Sequence, residues 1–220
     1  MNIQKNLQSL KSQLPEGIDL VAVSKTKPIE DLHKAYEVGH RIFGENKIQE
    51  MSQKQEQLPK DIQWHMIGHV QRNKVKYMAS YVSLIHGVDS LKLLKEINKQ
   101  ALKNERVIDC LLQVHIAQES SKFGFDGNEI ATVFAELDLH PLPNIRVVGL
   151  MGMASFTENI EQVKEEFLSL KKIYDTYQSS QKLSVLSMGM SGDYELAIEC
   201  GSNMIRVGSR IFGERNTPPQ

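Results

Sequence analysis

Leu20-Val21-Ala22-Val23 is followed, after Ser24-Lys25-Thr26-Lys27-Pro28, by the amphipathic stretch Ile29–Val38. A short apolar run bounded by polar residues and proline reads as a buried strand. Apolar residues at helical spacing behind it read as a helix packed on that strand. The couple recurs down the chain. Strands are predicted at Leu20–Val23, Arg41–Phe43, Gln63–Ile67, Ser83–His86, Ile108–Ile116, Ile145–Leu150, Val185–Leu186 and Met204–Val207. Amphipathic helices between them include Ile29–Val38, Leu91–Leu102 and Ile160–Tyr177, and Ile3–Leu10 predicts one more helix ahead of the first strand. Eight strands, each followed by helical sequence, predict an α/β fold. It is a single TIM-type (β/α)8 barrel with an extra N-terminal helix, spanning 1–220 as one domain. An open doubly wound sheet shares this alternation, because strand order cannot be read from one sequence. Pro218-Pro219-Gln220 reads as a frayed tail.

The 220 residues are 40% hydrophobic and 24% charged with a formal net charge of −1, so neither nucleic acid nor an anionic membrane is an expected partner. The polar start Met1–Leu7 lacks the apolar core of a signal peptide, and no apolar run reaches the length of a membrane span. Cys110 and Cys200 have no metal-type spacing and form no disulfide framework, so both are expected as buried reduced thiols. These features predict a cytoplasmic protein, and a lone barrel with well-mixed charge predicts a monomer.

In a barrel the loops after the strands carry the site. Lys25, Gly44-Glu45-Asn46, Gly68-His69, Met190-Ser191 and Gly208-Ser209 all fall there. A lysine just past a buried strand presents a partly desolvated amine able to form Schiff bases. Taken alone, Lys25 reads better as a solvated strand end, the role expected of its neighbour Lys27. Ser191-Gly192-Asp193 precedes the helical stretch Tyr194–Glu199, which Ser191 could cap, and Gly208-Ser209 precedes another helix start. Glycine lets the backbone approach an anion closely, and serine hydroxyls and helix-start amides donate to phosphate. Two such turns after the seventh and eighth strands match the usual phosphate site of a barrel. Ordinary capping is the plain alternative. Arg206, inside the apolar run Met204-Ile205-Arg206-Val207, needs a defined partner, either a carboxylate or a ligand.

His65 and His69 are four apart, but they flank a strand end and have no intervening glutamate, so a zinc-protease site is not expected. No serine sits in a Gly-x-Ser-x-Gly elbow.

Ala22-Val23-Ser24-Lys25-Thr26-Lys27, Phe43-Gly44-Glu45-Asn46, Trp64-His65-Met66-Ile67-Gly68, Gln71-Arg72-Asn73-Lys74, Ser187-Met188-Gly189-Met190-Ser191 and Arg206-Val207-Gly208 with Ile211-Phe212-Gly213 occur in this order. Together they resemble the pyridoxal phosphate homeostasis proteins, whose barrel is similar to the N-terminal domain of alanine racemase. The resemblance covers nearly the whole chain. It implies that Lys25 holds pyridoxal 5′-phosphate as an internal aldimine. Ser191, with the backbone of Met190, Gly208 and Ser209, would cradle the phosphate. Arg206 would face the pyridine nitrogen, and Asn46 would lie near the ring. His65 and Asn73 fall in family motifs without an assigned role. His69 and Gly192 stand where the family varies.

An arginine partner keeps the ring nitrogen unprotonated and weakens the ring as an electron sink. Racemases of this kind add a second acid–base, a tyrosine from another subunit, and a C-terminal β domain. Here Tyr194 alone of six tyrosines lies beside the expected cradle. The resemblance therefore implies a carrier and regulator in vitamin B6 homeostasis, without an assigned reaction and with apo-enzymes of the same cofactor as transient partners. A weak amino-acid racemase and a cofactor-free Schiff-base aldolase are the alternatives.

Overall fold

A computed structural model describes residues 2–118 and 123–214. The expected tail at Pro218-Pro219-Gln220 lies outside the described residues. Eight parallel strands close into a barrel in sequence order: β1 (Asp19–Val23), β2 (Ile42–Glu45), β3 (Gln63–Met66), β4 (Leu84–Val88), β5 (Ile108–Gln113), β6 (Ile145–Met151), β7 (Val185–Ser187) and β8 (Met204–Val207). Closure comes from β8 lying against β1, with Val21 opposite Arg206 and Ala22 opposite Val207. The open sheet is thereby excluded.

The surrounding helices are α1 (Ile3–Gln13), α2 (Ile29–Glu37), α3 (Ile48–Gln57), α4 (Leu91–Lys103), α5 (Glu129–Leu139), α6 (Ile160–Gln181), α7 (Tyr194–Glu199) and α8 (Ser209–Phe212). The N-terminal helix α1 is the predicted extra one. Asn2 caps it by accepting from the Lys5 N–H, and Asn6 donates to the Ile211 carbonyl, tying it to α8.

Several element bounds shift, three of them instructively. β3 is followed only by a 3-10 helix, Arg72–Tyr77, rather than by a full α-helix. The second strand starts one residue later than predicted and runs on to Glu45, because Gly44 and Glu45 pair with His65 and Met66. The fifth ends at Gln113 rather than Ile116; only an isolated bridge from Val114 to Phe125 continues it. An apolar run shows where a chain is buried, whereas a strand ends where its ladder partner ends.

Strand alternation divides the apolar residues between two cores. Val21, Leu84, Leu111, Met151 and Met204 cluster inside the barrel, while Leu20, Ala22, Phe43, Trp64, Ile205 and Val207 pack beneath the helices. The two-residue period also sends polar side chains inward. Met204 and Arg206 share a face of β8, as Leu84 and His86 share one of β4. Among the described residues no helix is long and apolar enough to cross a membrane. Cys110 and Cys200 are buried free thiols.

His40, between α2 and β2, is 3% exposed, and its Nε2 bonds the Ile42 carbonyl at 2.8 Å. Burial, aided by Lys11, pulls its pKa from 6.5 to about 4. The unfolded chain therefore binds a proton that the folded one refuses. Stability from this group is complete above about pH 6.5 and is lost as pH falls toward 4. A displacement of that size is worth about 3 kcal/mol. Urea midpoints measured from pH 7 to 4.5 should fall more steeply in the parent than in His40→Gln, and parallel curves would contradict this.

Candidate functional site

The loops at the C-terminal ends of β1, β2, β6, β7 and β8 surround a cavity of about 430 Å³, lined among others by Lys25, Asn46, Met190, Ser191, Arg206, Gly208 and Ser209. All seven residues singled out from the sequence thus meet in one place, although they come from both ends of the chain.

Lys25 stands in a turn held from both sides. Ser24 Oγ donates to Glu45 Oε1 at 2.6 Å, and the Thr26 N–H donates to Glu50 Oε1 at 2.6 Å. Thr26 has φ 64°, a left-handed conformation that a β-branched residue adopts only when its surroundings impose it. Both carboxylates converge on Lys54, whose Nζ lies 2.8 Å from Glu45 and 2.7 Å from Glu50 and also donates to the Ser24 carbonyl. Lys54 is 5% exposed and Glu45 fully buried. Burial raises the Glu45 pKa, with Lys54 and the Ser24 hydroxyl opposing. The second oxygen, Oε2, has no hydrogen-bond partner among the described residues. This ionic clamp went unrecognised in the sequence. Its signal was present: Ile48, Met51 and Lys54 form the buried stripe of α3, with a lysine where an apolar residue belongs.

Lys27 departs from the solvated lysine expected there. Its Nζ donates to the carbonyls of Phe212, Gly213 and Glu214, at 3.0, 3.0 and 3.2 Å, and so anchors the end of α8. The loops after β2 and β3 approach closely at Gly68, where a Cβ would lie 2.5 Å from the Asn46 carbonyl oxygen. That contact sets Asn46 at the cavity wall.

The two C-terminal turns touch. Ser191 Oγ accepts from the Gly208 N–H at 3.1 Å. Ser191 is not the cap of α7, as the sequence suggested: Asp193 occupies that position, and its Oδ1 accepts the Met190 N–H at 2.5 Å. The tight turn at Met190–Asp193 gives the cap to the nearer residue and leaves the Ser191 hydroxyl pointing across to the β8 loop. Gly189 makes the turn possible. It has φ +95°, and a Cβ there would lie 2.6 Å from Ala197 Cβ.

Arg206 is 4% exposed and donates to Ser187 Oγ at 2.6 Å and to the Gly152 carbonyl at 3.1 Å. It makes no ion pair among the described residues, so the salt-bridge reading of this arginine fails. Burial lowers its pKa to about 10 and Asp193 opposes the shift, which leaves the guanidinium charged at neutral pH. A buried cation whose hydrogen-bond partners are both neutral, at the wall of a cavity, suits an electron-rich ligand atom.

Tyr194 is buried. Its hydroxyl donates to Glu195 at 2.9 Å and accepts from Arg210 at 3.0 Å, and the residue lines a neighbouring cavity instead of this one. Asn73 is exposed in the 3-10 helix, and His69 stacks on Phe123 beside Asp89. Among the described residues no group of three His, Cys, Asp or Glu side chains could hold a metal ion.

The family model of the alanine racemase N-terminal domain matches residues 1–216. The pyridoxal phosphate homeostasis protein of Aquifex aeolicus is 41% identical over 199 residues, covering 89% of this chain and 86% of its own length. That of Vibrio alginolyticus is 36% identical and covers 98% of both. The chain belongs to the pyridoxal phosphate homeostasis protein family. Among solved structures of this family, PipY of Synechococcus elongatus without PLP superposes with a TM-score of 0.89 at 35% identity, covering 96% of this chain and all of that one. PipY with PLP bound gives 0.85 at the same identity. An alanine racemase from Clostridium difficile shares the fold, at a TM-score of 0.80 and 16% identity, and the chain covers 60% of it. Membership in the homeostasis family accounts for the matched motifs along the whole barrel.

Proposed function

We propose that this chain is a single pyridoxal 5′-phosphate-binding domain that holds the cofactor on Lys25 as a Schiff base and acts in vitamin B6 homeostasis as a carrier. The observation carrying this reading is the meeting of three chemistries in one cavity. An amine stands at the end of β1, a hydroxyl and backbone amides cluster where the β7 and β8 turns touch, and an arginine with no carboxylate hydrogen-bonded to it among the described residues lies between. When bound, the cofactor supplies an aldehyde, a dianionic phosphate and a pyridine nitrogen. Lys25 takes the aldehyde. Ser191, with the Gly208 and Ser209 turn and the backbone at Met190, takes the phosphate. Arg206 donates to the ring nitrogen without giving up its proton, and Asn46 borders the ring. The triple anchoring of Lys27 on the carbonyls of Phe212, Gly213 and Glu214 makes Lys27 a poor attachment point.

A carrier role is supported by what surrounds the amine. A racemase needs a second acid–base across the ring from its lysine. No tyrosine is among the residues lining this cavity, and Tyr194 is engaged by Arg210 and Glu195. The proposal includes transient hand-over to apo-enzymes by a cytoplasmic monomer. Residual racemisation is the second reading, and deuterium uptake at the α-carbon of amino acids in heavy water tests it directly.

The deciding experiment is the visible spectrum of the purified protein before and after borohydride, followed by peptide mapping. A yellow band that bleaches, with the added mass on Lys25, is expected. A protein that stays colourless and unlabelled in added pyridoxal phosphate would refute the reading. Ser191→Ala should raise the dissociation constant roughly ten- to hundredfold, since a hydrogen bond to a charged group is worth about 1.5–3 kcal/mol. The labelled residue should remain Lys25. An unchanged constant would move the phosphate elsewhere.

A further inference from the structure

The barrel interior holds a polar chain that cofactor binding alone does not require. Arg206 on β8 donates to Ser187 Oγ on β7 at 2.6 Å. Ser187 Oγ lies 3.2 Å from His86 Nδ1 on β4, and His86 Nε2 lies 3.1 Å from His65 Nδ1 on β3. Ser187 and His86 are fully buried and His65 is 4% exposed. His65 also lines a separate cavity at the opposite end of the barrel, among the first residues of the strands.

Donor and acceptor chemistry settles the direction of this chain. Arginine can only donate, so Ser187 accepts from it; its Oγ has no third partner among the described residues, so its single hydroxyl hydrogen would be buried unbonded unless His86 takes it. His86 Nδ1 must then be an acceptor, which puts its proton on Nε2. That N–H donates to His65 Nδ1, so His65 too carries its proton on Nε2. Burial keeps both rings neutral: the His65 pKa falls to about 3, and His86 is depressed well below 6.5, with His65 and Arg206 adding to the effect. Every group in the row therefore has one available orientation.

We propose that Ser187, His86 and His65 are positioning residues that form a one-way hydrogen-bond chain, fixing the guanidinium of Arg206 toward the cavity. By taking the hydroxyl hydrogen, His86 keeps a lone pair of Ser187 turned to Arg206. With Nη1 tied to Ser187 and Nη2 to the Gly152 carbonyl, the guanidinium plane is set before any ligand arrives. The effect on a bound cofactor rests on the reading of Arg206 given above; the chain itself does not.

Two measurements separate these claims. In cofactor-free protein labelled with 15N-histidine, two-bond proton–nitrogen correlations at neutral pH should show His65 and His86 each as the pure Nε2–H tautomer. An Nδ1–H form at either ring would overturn the chain. In cofactor-loaded protein, Ser187→Ala and His86→Phe should each shift the visible band and speed release of pyridoxal phosphate about tenfold. The double variant should be no more than about twofold worse than either, because both break one linkage. Ser187→Thr, which keeps the hydroxyl, should hold the parent band. Independent, multiplying losses would overturn the coupling. A parent protein without any cofactor band would refute the cofactor reading, and the tautomers would still decide the chain.

Discussion

Lys25→Ala should abolish borohydride-trapped label and the visible band while leaving weak, phosphate-dependent association. The proposed Schiff base is the one covalent anchor, and its loss should weaken retention by about a hundredfold or more, roughly 3 kcal/mol. The residual binding should depend on Ser191 and the Gly208 turn, which approach each other to 3.1 Å without help from the lysine. Equilibrium dialysis with pyridoxal phosphate, with and without competing inorganic phosphate, checks both parts. Full affinity in Lys25→Ala would remove the covalent anchor from the proposal. Label transferred to Lys27 would show that the α8 carbonyls release that amine, against the geometry seen here.

Lys54→Met should cost about 3–5 kcal/mol, since removing one partner of a buried ion pair strands the other. Glu45 is fully buried, Lys54 is its cationic partner, and one of its oxygens already lacks a hydrogen bond among the described residues. The pH dependence has a definite sign. Burial raises the folded pKa of Glu45 above its unfolded value. The folded state therefore gains a proton first on acidification, and the penalty of the charged carboxylate is relieved as pH falls. Removing Lys54 removes an opposing influence, so the variant's deficit should be largest near pH 8 and shrink toward pH 5. Urea denaturation at the two pH values checks this, and a Glu45→Gln/Lys54→Met double variant should recover a large part of the loss. The single variant should also bind cofactor more weakly, because Ser24 and Thr26 on either side of Lys25 lose their common tether. Unimpaired binding by a destabilised Lys54→Met would confine the clamp to a structural role.

Much of the barrel was legible because strand burial and helical spacing are local properties. Leu20–Val23, Met204–Val207 and Ile145–Leu150 announced themselves as apolar runs, and Ile29–Val38 and Leu91–Leu102 as helical faces. Strand ends were less legible. Ile108–Ile116 is apolar beyond the point where its ladder stops, and the segment after β3 has a family motif but folds as a 3-10 turn. Lys25, Arg206 and the two serine-bearing turns stood out because each breaks a pattern or follows a strand. Ser191 was misread as a cap, since Asp193 competes for the same turn from two residues nearer to the helix.

By itself the sequence determined the βα alternation, the strand-end placement of Lys25, Ser191 and Gly208, and an arginine inside the apolar run of the last strand. Period-two and period-3.6 patterns are carried by neighbouring residues, so no tertiary information is needed to see them. Barrel closure, the tie from Lys27 to the end of α8, and the partners of Arg206 were decided only in three dimensions. Ser187 and His86 meet across 101 residues of chain, and Lys27 reaches Phe212 across 185. Contacts at such separation depend on which strands become neighbours and which side chains share one interior layer. That layer exists only once β8 has paired with β1.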